Sequence, residues 1–405
     1  MKNSSFLCCR LAASLLAESC GSQDSAKDNG SWTGTWGTAV QLTEPHNMPP
    51  EPGLSNHTIR QRFKITLGGD SLKLRLSNEF GDTPLKIVGV KIAPALQGSA
   101  IDAKKAVSVK FSGNQAVEIP VGKNIVSDAF AFTSTTREDL AVTIAYENVP
   151  EKLTGHPGSR TTSYILDGNQ IDNPTFEGAV TTDHWYSIER LDVHTTEKTC
   201  AVAIIGNSIT DGRGSTTNAQ NRWPDVFAER LLNNPETKNI GVLNMGIGGN
   251  CVIFGGLGPT AFTRFERDVL NQTGVKYVII FEGVNDIGPS RDPEKTKNDL
   301  IDHYSKMADM AHAKGLKVFG ATITPLKKCF YMVQSSDEKE QCRLAVNEWI
   351  RTTDKYDGVI DFDKAIGGKE TPDVMDEALH DNDYLHPNAL GHKTLGEFVD
   401  LTLFK

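Results

Sequence analysis

The sequence has no basic excess. It carries 42 lysines and arginines against 51 acidic residues, a formal charge of -9 over 405 residues. Binding nucleic acid calls for a basic stripe or patch, so no nucleic-acid partner is expected. The short apolar stretch near the N-terminus falls well below the roughly 20 residues of a membrane-spanning helix. There is no Cys-x-x-Cys, no His/Cys cluster of metal-site spacing and no His-Glu-x-x-His, so neither a metal nor a cofactor is expected. A Gly-x-Ser-x-Gly elbow and a Walker loop are also missing, and Gly246-Ile247-Gly248-Gly249 lacks the spacing of a dinucleotide loop. No internal repeat or low-complexity tract is visible. With 38% hydrophobic and 23% charged residues, a chain of this length has material for two or three globular domains.

The N-terminus stands apart. Lys2 and Arg10 flank a short apolar stretch, and LAASLLAESC runs from Leu11 to Cys20. It reads as a secretory signal over residues 1–20, followed by a polar linker at 21–30. The small residues before Cys20 resemble a bacterial lipoprotein cleavage site, although Glu18 and Arg10 fit that pattern poorly. The expectation is an exported protein, either secreted, periplasmic, or attached to a membrane through a lipidated Cys20. Cys8, Cys9 and Cys20 belong to this leader. Of the other four cysteines, Cys329 and Cys342 bracket a polar segment that a disulfide could close, and Cys200 and Cys251 read as buried thiols.

Two rhythms divide the rest. Residues 31–195 read as short strands between turns, which implies an all-β sandwich domain of jelly-roll type. Within it, the alternation on either side of Gly68-Gly69-Asp70 is the pattern of a hairpin. Residues 196–405 alternate strand, loop and helix. The expected strands are 201–205, 241–245, 277–283, 317–324 and 358–362, and a last helix is expected to begin at Pro387. Such alternation predicts an α/β domain, a parallel sheet between helices, with its ligand crevice beyond the carboxyl ends of the strands.

Polar residues crowd those ends. The first strand runs into Gly206-Asn207-Ser208, and the second into Asn244-Met245-Gly246-Ile247-Gly248-Gly249-Asn250. The third leads to Gly283-Val284-Asn285-Asp286, and Asp383-Tyr384-Leu385-His386-Pro387 lies near the end of the chain. Together they hold what acyl transfer requires. Ser208 can serve as nucleophile, His386 as its base, and Asp383, three residues before, can fix the imidazole. The N–H of Ser208, one N–H among Gly246, Gly248 and Gly249, and the side-chain amide of Asn285 suit an oxyanion hole. Taken alone, Ser208 would be an ordinary turn or cap residue and Asn285-Asp286 an Asx-type turn. Asp286 itself reads as structural. Asp381 competes with Asp383, and His380 and His392 compete with His386, although helical spacing turns His392 away. Trp32, Trp36 and Trp223 read as core aromatics, with a sugar platform as the alternative.

The segments GNSIT, NMGIGGN, GVND and DYLHP resemble the four blocks of the SGNH, or GDSL, hydrolase superfamily. That resemblance covers roughly residues 200–405 and implies a three-layer, flavodoxin-like domain with Ser208, Asp383 and His386 as triad and Ser208, Gly249 and Asn285 as oxyanion donors. WTGTWGTAV and IRQRFKITLGGDSLKLRLSNEFG are similar to the front domain of a two-domain bacterial branch associated with carbohydrate esterases. The implied activity is hydrolysis of acetyl or other short acyl esters on a polysaccharide or oligosaccharide. One departure is Asn207, where the family usually has aspartate; Asn207→Asp is expected to keep ester hydrolysis. Two alternatives stay open. One is a lipase or lysophospholipase, hinted at by Phe330, Tyr331, Met332 and Val333 in the loop after Pro325; the other is a non-catalytic carbohydrate-binding protein.

Overall fold

The computed structural model describes residues 30–334 and 336–405. The expected signal segment, Cys20 and nearly all of the linker lie outside the described residues. The front half is antiparallel throughout. In one main sheet Gly69–Asn78 pairs with Ile188–Thr195, which in turn pairs with Ser31–Gly37. In the other, His57–Lys64 lies between Asp139–Asn148 and Ser163–Asp167. Alternate residues of a strand face opposite sides of its sheet. Leu72, Leu74 and Leu76 therefore meet Ile59, Phe63, Val142 and Ile144 from the facing sheet in one buried core.

The expected hairpin at Gly68-Gly69-Asp70 is not formed: the strands on its two sides belong to different sheets. Between them the chain is captured by neighbours. Thr66 N–H donates to the Thr35 carbonyl at 2.8 Å, and Leu67 N–H donates to the Thr35 hydroxyl at 2.8 Å. Any Cβ at Gly68 would sit 2.4 Å from the Ser134 carbonyl oxygen, so the passage needs glycine. Period-two alternation is the same for a hairpin and for an arch between sheets, which is why the sequence pattern could not separate them.

The back half is a five-stranded parallel sheet. Its strands are β1 (Cys200–Gly206), β2 (Ile240–Gly246), β3 (Val275–Phe281), β4 (Lys317–Ala321) and β5 (Gly358–Ile360). They lie in the order β2-β1-β3-β4-β5, the flavodoxin-like arrangement. Both faces are covered. Val202 and Ile204 pack with Trp223 and Phe227 of the helix Trp223–Leu232 and with Leu395 of Ala389–Phe398. Ala203 and Ile205 face the other way, toward Leu300 and Met307 of Pro293–Ala313 and Val346 of Ser336–Thr352. Trp36 and Trp223 are buried core rings, as read from the sequence.

Four elements differ from expectation by two residues or more. β3 begins and ends two residues early, because the chain turns at Gly283 with φ +111°. β4 and β5 stop short at Ala321 and Ile360, where Thr322 Oγ1 donates to Asp361 at 3.0 Å. The last helix starts at Ala389 rather than Pro387, since Asn388 Oδ1 caps it by accepting from Gly391 N–H at 3.0 Å. Among the described residues, no helix is long and apolar enough to cross a membrane. The two halves are in contact: Gly34 N–H of the β-domain donates to the Thr273 carbonyl at 2.9 Å, and Val242 N–H of β2 donates to Thr66 Oγ1 at 3.3 Å.

Candidate active site

The carboxyl ends of β1, β2 and β3 and the loop before the last helix meet at one cavity of about 350 Å³, bordered by Ser208, Gly249, Asn285 and His386. Ser208 opens a single helical turn, Ser208–Asp211, capped by Asn207, whose Oδ1 accepts from Ile209 N–H at 3.1 Å. Ser208 Oγ lies 2.8 Å from His386 Nε2. On the other side of the ring, Nδ1 lies 2.6 Å from Asp383 Oδ2. The turn 382–384 uses left-handed backbone at Asn382 and Tyr384, which folds the carboxylate back toward the ring. Asp383 Oδ1 also accepts from the backbone N–H of His386 at 2.8 Å and of Leu385 at 3.0 Å. Burial alone would raise its pKa, but these bonds and the imidazole outweigh burial and hold it down at about 2.

The competitors are engaged elsewhere. His392 is buried with Nδ1 accepting from Trp223 N–H and Nε2 donating to the Arg213 carbonyl, and burial lowers its pKa to about 4, leaving it neutral. Asp381 meets His386 only through its backbone N–H, which donates to the His386 carbonyl at 2.7 Å. His380 Nδ1 accepts from Tyr384 N–H at 3.3 Å.

Three N–H donors border the cavity. Among the described residues, no acceptor is met by the N–H of Ser208 or of Gly249, whereas Gly248 N–H is committed to Asp211 Oδ2 at 3.1 Å. Gly249 has φ +70°, and a Cβ there would come within 3.1 Å of Leu257. Asn285 donates one Nδ2 hydrogen to the Asn250 carbonyl at 2.9 Å, and its Oδ1 accepts from Tyr331 Oη at 2.8 Å. This orientation leaves its second N–H available. Asp286 is an anchor, as expected: it accepts from the N–H groups of Val252 and Ile253 and so fixes the loop after Gly249. Burial raises its pKa to about 6. Cys251, Cys329 and Cys342 are buried free thiols, and burial pushes Cys251 up to about 12, too high for a nucleophile at neutral pH.

Several supporting residues escaped the sequence reading. Arg264 is fully buried and donates to the carbonyls of Gly206 and Met245, at the ends of β1 and β2, and to Asn250 Oδ1. It thereby ties the serine strand, the glycine loop and, through Asn250, Asn285. Behind it lies Glu282, its pKa driven well above the usual carboxylate range by burial. Asn207 Nδ2 donates to Glu282 Oε2 at 3.1 Å, which accounts for the asparagine: it bridges the cap of the serine turn to a buried carboxyl. His156, from the β-domain, places Nε2 at 2.8 Å from Asp211 Oδ1, with both side chains buried. Gln41, Glu44, Asn47, Arg160 and His184 of the same domain border the cavity, so its far wall belongs to the front half of the chain. No local motif announces these residues, since their roles arise from contacts across long sequence separations.

Residues 204–394 match the GDSL-like Lipase/Acylhydrolase family. No curated protein matches the chain. Among solved structures, an acetyl xylan esterase is 22% identical with a TM-score of 0.38, over 49% of this chain and 96% of that one. The acetylxylan esterase of Geobacillus stearothermophilus is 18% identical with a TM-score of 0.37, over 51% and 95%. A carbohydrate esterase family 2 enzyme with a carbohydrate binding domain, from Corynascus thermopiles (Myceliophthora fergusii), is 12% identical with a TM-score of 0.36, over 90% and 98%. At such values the chemistry has to be read from the site's own residues.

Proposed function

We propose that the protein, whose residues 204–394 match the GDSL-like Lipase/Acylhydrolase family, is an exported serine esterase that removes acetyl or other short acyl groups from saccharides. The observation that carries this reading is the unbroken line from Asp383 through His386 to Ser208, ending at a cavity with free backbone N–H groups. Ser208 Oγ attacks the ester carbonyl as His386 Nε2 takes its proton, and Asp383 holds the Nδ1–H and stabilises the imidazolium. The oxyanion accepts from Ser208 N–H, Gly249 N–H and the free Asn285 amide hydrogen. His386 returns the proton to the departing sugar hydroxyl. Water then hydrolyses the acyl-enzyme through the same base, with no cofactor. The polar wall built by Gln41, Asn47 and His184 favours a hydroxyl-rich leaving group.

A second reading has an observation of its own. A neighbouring cavity of about 750 Å³ shares Gly249, Asn285 and Tyr331 with the first and is bordered by Ile253 and Phe254. That space would take an acyl chain longer than acetyl. Acetate release from acetylated xylan, pectin, mannan and peptidoglycan, beside acetyl and octanoyl aryl esters, decides between them. The expected result is acetate release and an acetyl preference, both lost in Ser208→Ala. An octanoyl preference favours the lipid reading; full activity in Ser208→Ala removes the mechanism, and no hydrolysis of any ester leaves a binding protein.

A further inference from the structure

Every arginine side chain among the described residues donates a hydrogen bond to a protein acceptor except Arg160, Arg213 and Arg291. None of these three forms an ion pair either, and all three border the cavity of Ser208 or its larger neighbour. Arg291 borders the larger one, whereas Arg160 and Arg213 border the one that contains Ser208 and His386.

Arg160 is the informative one. Arg213 and Arg291 are exposed and water can solvate them, but Arg160 is half-buried and its Nε is sealed from solvent without an acceptor. A buried donor left unpaired costs free energy. The backbone adds to this: Arg160 sits at φ +51°, a left-handed conformation that side chains other than asparagine and aspartate rarely take. Its carbonyl is held there by Asn218 N–H at 2.9 Å. The carboxylates at the same cavity do not compensate these cations. Asp211 is occupied by His156 and Gly248 N–H, and Glu44 accepts from Gln41 and Asn47. In a chain whose net charge is -9, the catalytic cavity thus keeps two uncommitted guanidinium groups.

We propose that Arg160 and Arg213 bind a carboxylate on the substrate, so that the preferred substrate is an acylated acidic saccharide, one whose sugar units carry carboxylates, rather than a neutral one. A guanidinium offers a planar fork of N–H donors that matches a carboxylate, and desolvation inside a cavity strengthens such bonds. The proposal rests on the esterase reading above and names the substrate class for it.

The test compares acetate release from acetylated oligogalacturonate and acetylated mannan oligosaccharides of equal acetyl content, at low and high salt. Expected is a preference for the acidic substrate of about 10-fold or more in kcat/KM, carried mainly by KM and reduced by salt. Arg160→Gln and Arg213→Gln should each cut that preference by about 10-fold, with part of it restored in Arg160→Lys. Methyl-esterifying the galacturonate carboxyls removes the charge without touching the protein, and should raise KM to a similar degree. Equal kcat/KM on the two substrates, or indifference to methyl-esterification, overturns the proposal. So does a Gln variant that slows both substrates by the same factor. If acetate release is present and lost in Ser208→Ala but shows no charge preference, only this inference fails; if no acetylated saccharide is cleaved, the esterase reading fails with it.

Discussion

Replacing Asn207 with aspartate probes the buried network under the serine turn. Asn207 Nδ2 and Glu282 Oε2 are 3.1 Å apart, and both residues are essentially inaccessible to solvent. Two ionised carboxylates at that distance would repel by about 5 kcal/mol at an effective dielectric of ~20. Holding a proton on one of them instead costs about 1.4 kcal/mol for each pH unit above its folded-state pKa in the wild type. Burial already keeps the Glu282 proton well above the usual carboxylate range. At about pH 5.5 the glutamic acid can therefore donate to the new carboxylate, and the substitution should cost only about 1 kcal/mol. Toward about pH 8 the folded variant must retain a proton that the unfolded chain releases, so its stability falls with rising pH. The extra loss is bounded by ~1.4 kcal/mol per unit, about 3 kcal/mol across the range, or roughly 6–12 °C in melting temperature for a domain of this size. Melting curves of the wild type and Asn207→Asp at both pH values measure it. A cost near the full ~5 kcal/mol of carboxylate repulsion already at about pH 5.5 would refute the reasoning about Glu282.

Two further substitutions address residues that act at a distance. His156→Ala removes the buried partner of Asp211, which also holds Gly248 N–H beside Gly249. The expected loss is about 3–5 kcal/mol of stability, with a fall of ~10–100-fold in kcat and little change in KM for a small aryl acetate; unchanged melting and kcat would show that the β-domain does not steady the loop of Gly248 and Gly249. Arg264→Met strips the donor from the Gly206 and Met245 carbonyls and leaves Glu282 without its buried cation, while Asp268 keeps Arg267. It should cost about 3–5 kcal/mol by chemical or thermal unfolding, and a loss below ~1 kcal/mol would mean the site ends of β1 and β2 hold themselves.

The parallel sheet was legible because its strands are buried on both faces and therefore read as unbroken apolar runs, as in Ala201 to Ile205. The residues of the proposed triad were legible because they sit just past strand ends or in one short turn, where local spacing carries the geometry. Gly249 rested on resemblance; the structure adds a physical difference, since Gly248 has its N–H engaged by Asp211. What stayed hidden has one cause. Arg264 and His156 act through partners 14 to more than 50 positions away, and nothing in a local window marks such a pairing. The misplaced hairpin at Gly68 is the same failure in the backbone, because the Thr35 and Ser134 groups that redirect the chain lie far off in sequence.

The proposed ester hydrolysis depends on Ser208 Oγ as the attacking atom. The most direct measurement is to treat the protein with a p-nitrophenyl phosphonate and map the adduct by peptide mass spectrometry. The expected result is stoichiometric nitrophenolate release, phosphonylation confined to Ser208, loss of esterase activity in step, and no adduct in His386→Ala on the same time scale. An inactivated enzyme labelled at another residue, or one still active with Ser208 fully labelled, would contradict it.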